Sequence, residues 1–251
     1  MDVHTAFGSR LVSARALYAV RGVFAIFSML ILVWKLATDH EDYVRYMTSM
    51  SWFGITAYFV TTTAAAAALR NARPTERLPH RLALPIRFLF ATMHTTALIV
   101  SLVFWLALRS IAAQSAAGMD RFLTVVPHSA NFVMTQAELW LSNQPYPATN
   151  AIPVIAVMAL YCLWTWAEHY VAGIPWPYEF FDTMLDLRMR GGMAVLWLLA
   201  FVLAITGMFA VIWAEAQLRD RLLPVVTPES DSDDDGSEGG QEGAKQAKES
   251  A

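Results

Sequence analysis

MAVLWLLAFVLAITGMFAVIW, residues Met193–Trp213, has no ionisable side chain in 21 positions. A bilayer core about 30 Å thick is crossed by about 20 mostly apolar helical residues. This stretch therefore reads as a membrane span. Lipid offers no partner to backbone N–H and C=O groups, so the crossing segment must be a helix. Working outward from it, comparable runs lie at about 16–37, 50–69, 86–108, 122–142 and 152–174, and the sixth extends over about 192–216. The predicted fold class is all-α: a polytopic membrane protein built as a bundle of six transmembrane helices, with both termini cytoplasmic.

Charge sets the orientation. The link after the second run carries Arg70, Arg73, Arg77, Arg81 and Arg87 against a single acid, Glu76, together with Pro74, Pro79 and Pro85, and reads as a loop. Positive residues stay on the cytoplasmic side, which places the N terminus inside, with Arg10 and Arg15. The acidic link Thr38–Tyr43 then falls outside, and six crossings return the C terminus inside. Arg188 and Arg190 fall on the opposite side and are outvoted by the five arginines. Arg21 and Lys35, near the ends of the first run, are expected to snorkel towards the headgroups. The small side chains of Ala64–Ala68 permit close helix contact.

The chain divides into a cytoplasmic segment 1–15, a six-helix domain 16–217 and an acidic cytoplasmic tail 218–251. Residues 224–251 hold eight acids and two lysines, so with a total of −3 the tail carries −6 and the remainder +3. The tail cannot bury enough apolar area to offset its ordering entropy and is expected to be disordered. An excess of +3 implies no nucleic-acid partner and fits a basic link beside anionic lipid. The single cysteine, Cys162, excludes an intrachain disulfide and thiol-based metal clusters. The first 15 residues lack a signal-peptide pattern. The chain is thus expected to be an integral multi-pass membrane protein, of the endomembrane system or plasma membrane in a eukaryote, with the bilayer as its first partner.

Ionisable groups inside a membrane cost several kcal/mol unless they face protein or water, so they mark where chemistry is to be sought. Here they are His94, His128, Glu138, Glu168 and His169, with Thr48 and Asn131 as polar companions. His128, Asn131, Thr135 and Glu138 are spaced three, four and three, which places them on one helix face. That face must point into the bundle, either joining helices or building a site. In the N-inside scheme Thr48, His128 and His169 lie at neighbouring depths in one leaflet. A hydroxyl and an imidazole at matched depth can form a nucleophile–base pair; equally, a helical threonine can bond back to its own helix.

These positions carry a resemblance. Tyr46-Met47-Thr48 is followed by Tyr58-Phe59; His128 is followed by Glu138 and then Tyr146-Pro147; Tyr161-x-x-Trp164 is followed by His169, Gly173 and Pro177-Tyr178. In order and interval the chain resembles the androgen-induced-gene family of six-helix membrane threonine hydrolases, over roughly residues 16–215. An alternative register would put Asn131 at the catalytic position; the intervals to Glu138 and Tyr146 favour His128. The resemblance implies cleavage of fatty acid esters of hydroxy fatty acids, a membrane lipid substrate. It implies Thr48 as nucleophile and His128 as base, supported by Asn131, Glu138, Glu168 and His169, with no metal and no cofactor.

Two other classes stay open at this point. His94, His128 and His169 lie on three different runs and imidazole suits metal or haem binding, with Glu138 or Glu168 as a further ligand. A non-catalytic scaffold or transporter is the other, although no internal repeat or broken helix points to it.

Overall fold

The computed structural model describes residues 1–38, 43–71, 73, 76–108, 119–178, 181 and 192–224. The tail from residue 225, the acids Asp39, Glu41 and Asp42, and Glu179, Asp182, Asp186, Arg188 and Arg190 lie outside the described residues. Seven α-helices occur among the described residues: α1 Val3–Phe7, α2 Ala14–Thr38, α3 Met47–Ala68, α4 His80–Val103, α5 Met119–Leu141, α6 Ala151–Tyr170 and α7 Gly192–Leu222. The only β-pairing among them is two isolated bridges, Asp2 with Arg77 and Ser9 with Ser142.

Local chemistry sets the ends. Ser13 accepts from the N–H groups of Ala16 and Leu17 at the start of α2, as a capping serine does. Pro79 opens α4, its carbonyl accepting from Leu82 and Ala83. The basic link therefore turns helical at His80, earlier than the loop expected up to Arg87. Pro85 lies inside α4 near its start and forgoes one helix hydrogen bond. After α6, Gly173 adopts φ +68, a left-handed conformation that favours glycine, and Ile174 N–H returns to the Glu168 carbonyl at 3.1 Å. The chain thereby folds back over the end of α6.

Four helical segments are long and apolar enough to cross a membrane: Ala14–Thr38, His80–Leu106, Ala148–Tyr170 and Leu199–Leu222. By length and composition the chain is a membrane protein. Its outer surface agrees: Leu30 on α2, Leu160 on α6 and Leu203 on α7 are exposed, a distribution rare on water-soluble proteins. α3 and α5 are of similar length, 22 and 23 residues, but are diluted by polar side chains. Those side chains meet each other.

Three contacts join α3 to α5 at a constant sequence offset of 80: Thr48 with His128, Ser51 with Asn131 and Tyr58 with Glu138. A constant difference means that the two helices run parallel, with α4 returning between them. The deepest rung is ionic. Arg21 of α2 bonds Glu138 through Nε at 3.2 and 3.1 Å and through Nη2 at 2.5 Å. Both side chains are 1% exposed. Tyr58 Oη donates to Glu138 Oε1 at 2.7 Å, and Gln144 donates to Tyr58 Oη at 2.8 Å. Arg21 thus turns inward to a carboxylate instead of snorkelling. Above it, Trp52 Nε1 donates to the Ser28 carbonyl at 3.0 Å and ties α3 to α2.

The N-terminal segment is packed against the bundle. Asp2 caps α1 by accepting from Thr5 N–H at 2.6 Å, and Ala6 and Phe7 are buried. Arg21 Nη1 donates to the Ala6 carbonyl at 3.1 Å. Arg219 near the end of α7 is fully buried and donates to the carbonyls of Leu139 at 2.5 Å and Gln144 at 3.0 Å. These bonds close the bundle at the end away from Thr48.

Removing one member of a buried ion pair leaves an uncompensated charge and costs about 3–5 kcal/mol, whereas replacing both by apolar residues is often neutral. Glu138→Ala is therefore expected to lower the melting temperature in detergent strongly, and the double variant Arg21→Met/Glu138→Leu to recover most of the loss. Equal losses in the single and double variants would contradict the pairing.

Candidate functional site

Thr48 is the second residue of α3, which follows a 3₁₀ turn over Tyr43–Arg45. This position decides what its hydroxyl does. Thr56, Thr62, Thr92, Thr96, Thr135, Thr165 and Thr206 lie inside helices, and each hydroxyl bonds a carbonyl three or four residues earlier. Four residues behind Thr48 stands Val44, in the 3₁₀ turn and not in α3. Its Oγ1 instead meets His128 Nε2 at 3.0 Å across the α3–α5 interface.

The imidazole is held from three sides. His128 Nδ1 lies 2.5 Å from the Thr124 carbonyl. A carbonyl only accepts, so Nδ1 carries the proton and Nε2 is left as the acceptor for the Thr48 O–H. Phe104 stacks on the ring with centroids 3.9 Å apart and planes 15° apart. Phe104 opens a π-helical turn, Phe104–Leu108, that ends α4, the kind of helix irregularity that often accompanies functional sites. Ser101 of α4 donates to the His128 backbone carbonyl. Pro127, just before His128, has no N–H to give to the helix.

Both groups open on a cavity of about 290 Å³, whose walls include Ile99, Val103, Met158 and Phe201. The residues on its wall that carry polar side-chain atoms are Thr48, His128, Tyr161 and Tyr178. Tyr178 lies beyond the Gly173 turn. Its hydroxyl accepts from the Met47 N–H at 3.1 Å and interacts with the Thr48 side chain. Tyr161 donates to the Arg45 carbonyl at 3.0 Å. A second apolar cavity of about 290 Å³ between α6 and α7 shares Met158 and Phe201 with the first. It reaches Leu163 and Val202, which are exposed on the outer face. The two cavities thus lie side by side, with Met158 and Phe201 on the wall of both.

The remaining candidate residues lie elsewhere. Asn131 sits one turn below His128, fully buried, and donates to Ser51 Oγ at 3.2 Å while its Oδ1 has no protein partner. Glu138 belongs to the Arg21 pair, more than two turns from His128. Glu168 pairs with Arg45 at 3.8 Å. His169 bonds the Ile174 carbonyl at 3.1 Å and stacks on Trp176 at 4.2 Å. Glu168 and His169 thus anchor the turn that carries Tyr178 to Thr48, and neither lines the cavity. His94 bonds the Phe90 carbonyl at 2.7 Å inside α4. The three imidazoles of α4, α5 and the end of α6 therefore have separate environments, and no group of three metal-ligating side chains occurs among the described residues.

Sequence reading did not single out Ser101, Phe104 or Tyr178 as site residues. Tyr178 appeared only as the aromatic end of a motif. Their roles depend on the π-turn and on the Gly173 reversal, which a one-dimensional pattern does not reveal. Comparison with family models, curated proteins and solved structures finds no match.

The hydrogen-bond geometry makes a spectroscopic prediction. ¹⁵N NMR of selectively labelled protein is expected to show His128 as the neutral Nδ1–H tautomer, with the Nε2 resonance shifting in Thr48→Val. An Nε2–H tautomer, or an Nε2 signal indifferent to Thr48→Val, would contradict the arrangement.

Proposed function

We propose that the chain is an intramembrane hydrolase of lipid esters, with Thr48 as nucleophile and His128 as general base. The observation that carries this reading is the 3.0 Å contact between Thr48 Oγ1 and the acceptor nitrogen of His128, at the mouth of an apolar cavity. The resemblance of the motifs around Thr48, His128 and Tyr161–Tyr178 to the androgen-induced-gene family supports the same activity and narrows the substrate to fatty acid esters of hydroxy fatty acids. In this reading all six long helices cross the bilayer. The Arg70–Arg87 link and both termini are cytoplasmic, and the Thr48 end of α3 faces the outer side.

The chemistry follows from the roles of the groups. Nε2 takes the Thr48 proton as Oγ1 attacks the ester carbonyl, giving a tetrahedral oxyanion. The C–O bond to the hydroxy fatty acid then breaks, and His128 returns the proton to the departing oxygen. An acyl-threonine remains. His128 next takes a proton from water, the resulting hydroxide attacks the acyl carbon, and Thr48 leaves with that proton restored. One ester and one water become one acid and one hydroxy acid.

The oxyanion forms beside the first turn of α3. The positive end of the α3 dipole lies behind it, and the Met47 N–H donates to the Tyr178 hydroxyl beside the site. The Tyr178 hydroxyl interacts with the Thr48 side chain and is the side-chain group we assign to the oxyanion. Glu168, His169 and Gly173 position the Tyr178 turn, and Ser101 with Phe104 fixes the imidazole. The apolar cavity between α6 and α7 suits acyl chains arriving sideways from lipid, with no need to leave the bilayer.

Turnover of a fatty acid ester of a hydroxy fatty acid in proteoliposomes tests the reading. His128→Ala is expected to slow hydrolysis about 10²–10⁴-fold, the usual contribution of a positioned general base, and Thr48→Ala to abolish it. Wild-type turnover in either variant would refute the assignment.

A further inference from the structure

A cavity of about 580 Å³ lies at the other end of α3, between α1, the start of α2 and the residues after Ala68. Eighteen residues of α3 separate Thr48 from Ala66 on its wall, roughly 27 Å by helical rise, so this space is separate from the hydrolytic site. Its character is also different. His4, Arg15, Arg21 and Arg70 line it, and no carboxylate does.

Arg21 is neutralised by Glu138. Arg15 and Arg70 are exposed, and neither forms an ion pair with a carboxylate among the described residues. Both charges therefore act on the cavity. Arg15 is the second residue of α2, and Arg70 stands two residues after the end of α3. They lie at matching helix ends, where a span passes from hydrocarbon to headgroups. Ala66 and Ala67 extend only methyl groups into the space and leave it unfilled. The wall formed by α1 is fixed: Val3 N–H bonds the Glu76 carbonyl at 2.9 Å and the Asn143 amide meets His4 Nε2 at 3.0 Å. Gly8 lies so close to Asn143 and the His4 carbonyl that a Cβ there would come within 2.4 Å of both.

We propose that this cavity binds the phosphate of an anionic phospholipid, held by Arg15 and Arg70 with Asn71 and the Tyr18 hydroxyl as further polar contacts. Guanidinium groups match phosphate oxygens in a two-point geometry, and basic pockets at the ends of spanning helices are a known form of headgroup site. A lipid source is favoured over free phosphate by the outer face of α2. Val23, Ile26 and Leu30 are exposed on it below the cavity and offer a track for acyl chains.

Thermal melting of the full chain in an uncharged detergent tests the proposal, with dihexanoyl phosphatidic acid, dihexanoyl phosphatidylcholine and inorganic phosphate as probes. Phosphatidic acid is expected to raise the melting temperature saturably, and phosphatidylcholine to leave it unchanged. The double variant Arg15→Gln/Arg70→Gln should weaken the apparent affinity about 30-fold. Ala67→Trp, which fills the cavity and keeps both charges, should remove the response as well. A shift from inorganic phosphate as large as that from the lipid would support the phosphate site and assign it a soluble ligand. No shift with any phosphate, the same shift with phosphatidylcholine, or an undiminished shift in both variants would overturn it.

Discussion

Lipid cannot hydrogen-bond, and the rest of the structure follows from that constraint. Any polar side chain carried into a span must find its partner on its own helix or on another. α3 and α5 meet this demand together, by running parallel at a fixed offset and pairing hydroxyl with imidazole, hydroxyl with amide, and phenol with carboxylate. α2 adds the compensating cation, Arg21. The rungs become less ionic and less buried from Glu138 towards Thr48. At one end the seam fixes helix order and register. At the other it opens on an apolar cavity, where the Thr48–His128 hydrogen bond lies on the wall.

Thr48 differs by position, not by chemistry, from Thr56, Thr62 and the other threonines whose hydroxyls bond their own helix. A threonine inside a helix bonds back to the preceding turn, which occupies its hydroxyl. At the second residue of α3 the carbonyl four residues earlier, that of Val44, belongs to the preceding 3₁₀ turn, and the hydroxyl is directed across the interface. At the same helix end the Met47 N–H donates to the Tyr178 hydroxyl. One structural fact, the start of α3 at Met47, thus brings Thr48 against both His128 and the Tyr178 turn.

Much of this was legible in sequence because period and length survive in one dimension. The apolar runs located the long helices to within a few residues, and the 100° stripe through His128, Asn131 and Glu138 gave the inward face of α5. What was not legible depended on which partner lay opposite. Arg21 near a span end reads equally as a snorkelling cation or as half of a buried pair, and only Glu138 on another helix distinguishes them. Glu168 and His169 looked like site residues because they are ionisable and close in depth to Thr48. They proved to hold a reversal whose key position is Gly173. The polar first 15 residues gave no sign of packing, since Ala6 and Phe7 are too few to form a pattern. α3 and α5 are not among the helices that length and apolarity alone mark as crossing a membrane, and the seam residues Thr48, Ser51, Tyr58, His128, Asn131 and Glu138 contribute to that.

The most direct measurement is to map the site of covalent labelling. Protein treated with a lipid-like fluorophosphonate would be digested and the modified residue read by mass spectrometry, with His128→Ala in parallel. The account predicts a single adduct on Thr48, formed rapidly in the wild type and lost or greatly slowed without the imidazole. An adduct on Ser49 or Ser51, or labelling of Thr48 at an unchanged rate in His128→Ala, would contradict it.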